Sequence, residues 1–187
     1  MNKYILIAIL LFSIQGISQE KNNTQLFWKN LKTHCGNSYE GEVIEAPDND
    51  DFRGKKLVIH FKKCTENLVK IPFSVGENKS RTFILKLLND RIQLKHDHRH
   101  EDGTSDKVTM YGGTSSNTGL PGIQFFPADQ ETANLIPYAS MNIWWITIDE
   151  TSYTYNLRRL GTDRLFSIKF DLTKPVKTPS KHWGWED

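Results

Sequence analysis

The chain has few cysteines: Cys35 and Cys64 are its only two among 187 residues. They do not form a CxxC pair, which argues against a thioredoxin-like redox motif or a zinc knuckle. In an oxidising compartment, an even number of cysteines at such a distance is typical of a disulfide, here closing a loop of about thirty residues. We therefore predict a Cys35–Cys64 bridge between the end of the first helix and the end of a strand.

An excess of charge of one sign is also missing. The sequence holds 24 Lys and Arg against 22 Asp and Glu, which gives a formal net charge of +2. Proteins that bind nucleic acid normally carry a strongly basic patch. The balance therefore gives no reason to expect a nucleic-acid partner.

Long apolar runs are absent apart from one near the N-terminus, between Tyr4 and Phe12. This run is too short for a confident membrane span. Lys3 before it and the small residues Gly16 and Ser18 after it are typical of a secretory signal peptide cleaved before Gln19, which disfavours the alternative of a retained membrane anchor. We predict a signal peptide over residues 1–18, a single domain over 19–175 and an irregular tail over 176–187. The mature protein would be secreted or periplasmic, with no stable membrane span.

The familiar catalytic signatures are missing as well. The sequence contains no G-x-S-x-G elbow, no H-E-x-x-H pair and no P-loop. The sequence motifs therefore indicate no particular enzymatic reaction.

The apolar residues follow a two-residue period over most of the chain, which is typical of β-strands. A short helix capped near Asn22 and running to about Thr33 precedes them. The turns between strands are too short for parallel crossovers, so the strands are predicted to be antiparallel. The predicted strands are Tyr39–Glu45, Lys56–Lys63, Leu68–Val75, Thr82–Leu88, Arg91–His100, Lys107–Tyr111, Ile123–Phe126, Asn142–Ile148, Ser152–Arg159 and Arg164–Leu172.

A single antiparallel sheet of about ten strands tends to curl and close, because closure removes its exposed edges. The expected architecture is mainly β: an up-and-down barrel, lipocalin-like, with the short N-terminal helix over one end. A two-sheet β-sandwich is the alternative. Gly112–Gly122 is predicted to be an irregular loop whose double glycine forms a turn or a bulge, and a second helical turn is expected around Asp129–Leu135.

Three histidines alternate with charged residues in the run His96-Asp97-His98-Arg99-His100. Alternate residues of a strand share one face, so these histidines have the same phase as Ile92 and Leu94. If those two face the core, the three imidazoles continue the inward face toward its rim, where they would contact a ligand or act as acids and bases. The alternative is a structural network in which the neighbouring acidic residues pair with nearby bases.

A transition-metal site on His96 and His98 is a further possibility, since residues i and i+2 of a strand can converge on one ion. His100 is about 13 Å from His96 along a strand, so a third ligand would have to come from elsewhere.

On two other predicted strands, an arginine has the same phase as the residues expected to face inward. Tyr153, Tyr155 and Leu157 lead to Arg159, and Phe166 shares a phase with Arg164. A rim position, with the aliphatic stem packed and the guanidinium in water, is the favoured interpretation for both arginines. If they turn inward, their planar forks suit a carboxylate or a phosphate.

Several strings spread along the mature chain together resemble a family of small exported bacterial proteins of unknown function. They include Ile71-Pro72-Phe73, Ser80-Arg81-Thr82, Tyr111-Gly112-Gly113 and the histidine run. The resemblance implies an envelope or secreted location but no activity. The early helix followed by Gly36, Tyr39 and Gly41 is also similar to the opening of lipocalin-like (calycin) barrels.

Taken together, these patterns predict an exported barrel that binds a small, partly apolar ligand. Small barrels either fill with side chains or hold one such molecule. The predicted ligand-binding residues are His96, His98, His100, Arg159, Arg164, Tyr153 and Tyr155. Two alternatives stay open: a histidine- or metal-dependent enzyme on the same barrel, and a structural or interaction protein with a filled barrel.

Overall fold

The computed structural model describes residues 22–184. The predicted signal peptide, residues 1–18, lies outside them. The described elements are α1 (Asn23–Lys32), β1 (Ser38–Glu45), β2 (Leu57–His60), β3 (Lys63–Cys64), β4 (Leu68–Val75), β5 (Asn78–Leu88), β6 (Arg91–His98), β7 (Tyr111–Thr114), β8 (Ile123–Pro127), α2 (Gln130–Leu135), a 3₁₀ helix (Pro137–Ala139), β9 (Asn142–Ile148), β10 (Ser152–Arg159) and β11 (Leu165–Val176).

The strands form one antiparallel sheet in the order β7-β6-β5-β4-β2-β1-β11-β10-β9-β8, with β3 paired to β4. This sheet curls into a nearly closed barrel, which confirms the predicted architecture over the β-sandwich. Most of the order follows the chain, because short hairpin turns make sequential strands pair. The long pairing of β1 with β11 joins the first and last strands of the described residues.

The two ends of the sheet, β7 and β8, meet at a seam formed by Gly112, Gly113, Pro127, Asp129 and Thr132. The Asp129 amide donates to the Gly112 carbonyl at 3.0 Å. The Thr132 hydroxyl donates to the same carbonyl at 2.8 Å and accepts from the Gly112 amide at 2.7 Å. A Cβ on Gly113 would lie 1.7 Å from the Pro127 carbonyl oxygen, so only glycine allows this approach.

The seam corrects two predictions. The strand expected at Lys107–Tyr111 begins only at Tyr111, and the double glycine expected in a turn or bulge lies inside that strand, β7. An alternation of side chains could not reveal this strand, because its two middle residues are glycines. Glycine is needed there because the backbone contacts a segment far along the chain.

One end of the barrel, here called the closed end, is covered by α1. The Trp28 indole donates to the Glu66 carbonyl at 2.7 Å, and the Thr24 hydroxyl donates to the Asp90 carbonyl at 2.8 Å. Phe27 and Leu31 are fully buried beneath the helix. The predicted disulfide is confirmed: Cys35, just after α1, is bonded to Cys64 of β3, with 6.2 Å between the two Cα atoms.

The barrel interior follows the predicted phases. The inward side chains of β4, β6, β10 and β11 are buried: Val69, Ile71, Phe73, Ile92, Leu94, Tyr153, Leu157, Phe166, Ile168 and Phe170. Phe61, Tyr153 and Phe170 pack in the half nearer α1, with ring centroids 5.8 Å and 6.0 Å apart. The closed end is therefore filled with side chains. After Val176, the chain continues without strand or helix as far as Gly184 and packs along the barrel, where the buried His182 ring is bonded to the Ser74 hydroxyl at 3.1 Å.

Candidate functional site

A cavity of about 260 Å³ lies at the opposite end of the barrel, here called the open end. Its walls come from β4, β5, β6, β7, β9, β10 and β11, and from the segments around Phe52 and Tyr138. The filled half of the interior forms its floor. The barrel is thus neither hollow throughout nor filled throughout: apolar and aromatic side chains fill the half near α1, and polar and aromatic side chains surround a cavity in the other half.

Aromatic rings form most of one wall. Phe83 is stacked on Tyr155 with 4.5 Å between ring centroids, and Phe73 is stacked on Phe83 at 5.6 Å. Phe52 stacks on Phe73 at 5.8 Å and meets Phe166 edge-on at 5.1 Å. Such a wall offers apolar contact area, mostly ring edges, with few rotatable bonds to order when a molecule enters.

His96 lies deep in the cavity wall and is only 3% exposed. Its Nδ1 is 3.0 Å from the Tyr111 carbonyl oxygen, and its Nε2 is 2.8 Å from the Tyr155 hydroxyl. A carbonyl can only accept, so Nδ1 carries the proton in the neutral ring and Tyr155 donates to Nε2. Burial lowers the pKa of His96 to about 3, which keeps the ring neutral at pH 7.

His98 continues the same face toward the rim, as the period predicts. Its Nε2 is 3.0 Å from the Tyr111 hydroxyl. Burial, and then the positive charge of Arg81 opposite it on β5, lower the pKa of His98 to about 4. The two predicted histidines therefore contribute neutral polar groups rather than positive charge at pH 7.

The structure does not bring His100 to the cavity. It follows the end of β6, its side chain is exposed, and its amide donates to the Thr104 carbonyl in a turn at 2.9 Å. The predicted structural network is present in part, since the Asp97 carboxylate accepts from Arg99 Nε at 2.9 Å and from the Thr109 hydroxyl at 3.1 Å.

Within residues 22–184, no group of three or more His, Cys, Asp or Glu is placed to hold a metal ion. Both ring nitrogens of His96 are also in hydrogen bonds to the protein. A transition metal on His96 and His98 stays a prediction, and we base no function on it.

Both predicted arginines line the cavity near its mouth. Arg159 Nε donates to the Asn142 side-chain oxygen at 2.9 Å, and its guanidinium lies 4.9 Å from the centre of the Tyr138 ring. Arg164 Nε is buried and has no hydrogen-bond partner among the described residues. The two residues are held together by the hairpin between β10 and β11, where the Arg159 amide donates to the Arg164 carbonyl at 3.1 Å.

A third arginine, Arg81, lines the same mouth and was not among the predicted site residues. Its Nη1 donates to the Asn78 side-chain oxygen at 3.0 Å, and its guanidinium lies 5.1 Å from the centre of the Phe52 ring. The predicted strand began at Thr82, whereas β5 begins at Asn78. A longer strand would have revealed Arg81, because it shares its phase with Phe83 and Leu85.

Tyr153 lies outside the cavity, in contrast to Tyr155. It is fully buried in the filled half against Phe61 and Phe170. Its hydroxyl has no hydrogen-bond partner among the described residues, and burial raises its pKa. Parity places Tyr153 and Tyr155 on one face, but only the depth along the barrel decides which of them reaches the cavity.

Comparisons with protein-family models, curated proteins and solved structures found no match. The resemblances to exported bacterial proteins and to lipocalin-like barrels therefore stay predictions. Among the described residues, no helix combines the length and the apolar character needed to cross a membrane.

Proposed function

We propose that this protein is an exported barrel that binds a small, partly apolar molecule in the cavity at its open end. The observation that carries this proposal is the combination of aromatic walls with a few convergent polar groups in one cavity. Sites for small molecules are typically of this kind, mostly apolar with a few polar side chains that fix orientation. The volume of about 260 Å³ suits a ligand smaller than most drug-sized molecules.

Export is supported by the disulfide between Cys35 and Cys64. Disulfides form and persist in oxidising compartments and are rare in the cytosol. Expression of the full chain in a bacterial host, followed by mass measurement of the extracytoplasmic protein, tests this part. The proposal expects a chain that begins at Gln19, and a full-length chain retained in the cytoplasm would contradict it.

Binding is tested with a variant that blocks the cavity. Val108 lines the mouth and is 44% exposed, so Val108→Trp should fold normally and place an indole over the opening. Ile44→Trp is the matched control, since Ile44 is 53% exposed and is not part of the cavity wall. The probes are 2-naphthoate and its neutral amide, measured by titration calorimetry on the mature protein.

The expected result is binding to the wild type and to Ile44→Trp, with affinity at least about tenfold weaker in Val108→Trp. Bound probe should also raise the unfolding temperature of the wild type, because only the folded barrel binds it. Equal affinities in all three proteins would place the probe elsewhere and overturn the proposal, as would the absence of binding by either probe.

A further inference from the structure

We propose that the ligand of this barrel is an aromatic carboxylate, whose ring enters between the aromatic walls and whose carboxylate pairs with Arg81, Arg159 and Arg164. This inference rests on the proposed function, because it names the chemical class of molecule that the same cavity accepts. Two features support it: the excess of positive charge among the residues that line the mouth, and the guanidinium N–H groups there that a ligand can reach.

The first observation is that three guanidiniums converge on one mouth without carboxylate partners. None of the ion pairs within residues 22–184 involves Arg81, Arg159 or Arg164. Arg81 and Arg159 contact neutral side-chain oxygens and aromatic faces. The carboxylates of Asp50 and Asp51 act on Arg81 electrostatically but make no ion-pair contact with it, so an entering anion would supply direct pairing that the described residues do not.

The second observation concerns the acidic side chains that line the same space, Asp50 and Asp97. The Asp97 carboxylate is already paired with Arg99 and bonded to Thr109. Asp50 accepts from the Phe52 amide at 3.0 Å and is the remaining negative charge among the lining residues. With both histidines neutral at pH 7, the lining carries more positive than negative charge.

The third observation is the geometry of the free donor. Arg164 Nε is buried and unpartnered within the described chain, and the Nε–H and one Nη–H of a guanidinium point in parallel. Two parallel donors match the two oxygens of a carboxylate. The stacked rings of Phe52, Phe73, Phe83 and Tyr155 line the same cavity as Arg164. A further aromatic ring can meet their edges in an edge-to-face contact, so the rest of the ligand is best matched by an aromatic ring.

The test compares the carboxylate with its neutral isostere. Affinities of 2-naphthoate and 2-naphthamide are measured at pH 7 in low salt, together with the smaller pair phenylacetate and phenylacetamide. The carboxylate of each pair should bind at least about tenfold more tightly than its amide, since a hydrogen bond between charged groups is worth more than a neutral one. Added NaCl should weaken binding of the carboxylates and leave the amides nearly unchanged.

Three variants assign the effect to the mouth. Arg164→Gln should reduce carboxylate affinity about tenfold and leave amide affinity within about twofold. Arg158→Gln is the matched control. It removes the same positive charge from a residue that precedes Arg159 in β10 but does not line the cavity. Asp50→Asn keeps the oxygen that accepts from Phe52 and should tighten carboxylate binding a few-fold.

The outcomes separate the two proposals. Equal affinities for carboxylates and amides would overturn the carboxylate assignment and leave small-molecule binding in place. Tighter binding of phenyl phosphate than of phenylacetate would also overturn it, because the preferred headgroup would then be a phosphate. If neither member of either pair binds, both the carboxylate assignment and the proposed function fail. The salt dependence is read on the wild type, so a variant that misfolds does not prevent the decision.

Discussion

The two ends of this barrel are built from the same strands but in opposite ways. At the closed end, Phe61, Tyr153 and Phe170 fill the interior under α1, and the disulfide fixes the helix to β3. At the open end, the inward positions carry histidines and arginines as well as aromatic rings, around a cavity of about 260 Å³. The packing that stabilises the barrel therefore lies at one end and the proposed ligand site at the other, so changes at the two ends should have separable effects.

The largest expected effect contrasts two phenylalanines. Phe61→Ala at the closed end should lower the free energy of unfolding by about 3–5 kcal/mol, because Phe61 is 0% exposed and its removal leaves a cavity among packed rings. Phe52→Ala at the open end should cost about 1–2 kcal/mol, since part of that ring already faces the cavity. Urea denaturation of both variants measures the contrast. Equal losses would show that the open end is packed as tightly as the closed one.

Removal of the disulfide tests how much the closed end depends on its cross-link. The double variant Cys35→Ala and Cys64→Ala frees a loop spanning a sequence separation of 29 residues. The unfolded chain then gains entropy, and the free energy of unfolding should fall by about 3 kcal/mol. Affinity for 2-naphthoate in the remaining folded protein should be unchanged. A parallel loss of affinity would mean that the two ends are coupled.

Acid should destabilise the protein through the buried histidines of the open end. The pKa of His96 is about 3 in the folded protein and about 6.5 in the unfolded chain, so between these values the unfolded state binds more protons. Stability is therefore retained above pH 6.5 and lost as the pH falls, by about 2–3 kcal/mol at pH 4.5 from His96 alone.

Urea denaturation at a series of pH values checks this prediction. His96→Asn should be less stable than the wild type at pH 7, because Tyr155 loses its acceptor, but its stability should fall less steeply below pH 6.5. His100→Asn, at an exposed position, is the control and should follow the wild type. A His96→Asn profile as steep as that of the wild type would contradict the assignment.

The smallest expected effect concerns the seam that joins the two edges of the sheet. Gly113→Ala places a methyl group 1.7 Å from the Pro127 carbonyl oxygen, so the strands must move apart at a cost of about 1–3 kcal/mol. Gly54→Ala is a useful comparison, because nothing lies within 4 Å of its Cβ and only its positive φ of 71° opposes the change. Hydrogen exchange at β7 and β8 should accelerate in Gly113→Ala alone. Unchanged exchange there would show that the seam tolerates the extra atom.

Much of the fold could be predicted because the two-residue period is local. It defined β4, β9 and β10 with their observed bounds, and it oriented Ile92, Leu94, His96 and His98 together. The period did not predict β7, because Gly112 and Gly113 have no side chains that could show an alternation of apolar and polar residues. It also missed the first residues of β5, because Asn78, Lys79 and Ser80 are polar, so the predicted strand began at Thr82 and left out Arg81.

The sequence by itself determined the class of fold, the pairing of Cys35 with Cys64, and which side chains face inward. These properties follow from local alternation and from the small number of cysteines. Only the tertiary structure decided that Tyr153 is in the filled half while Tyr155 reaches the cavity, that His100 turns away, and that Arg81 joins Arg159 and Arg164 at one mouth. The physical reason is that depth along the barrel and convergence across it depend on strand register and closure, which bring together residues far apart in the chain.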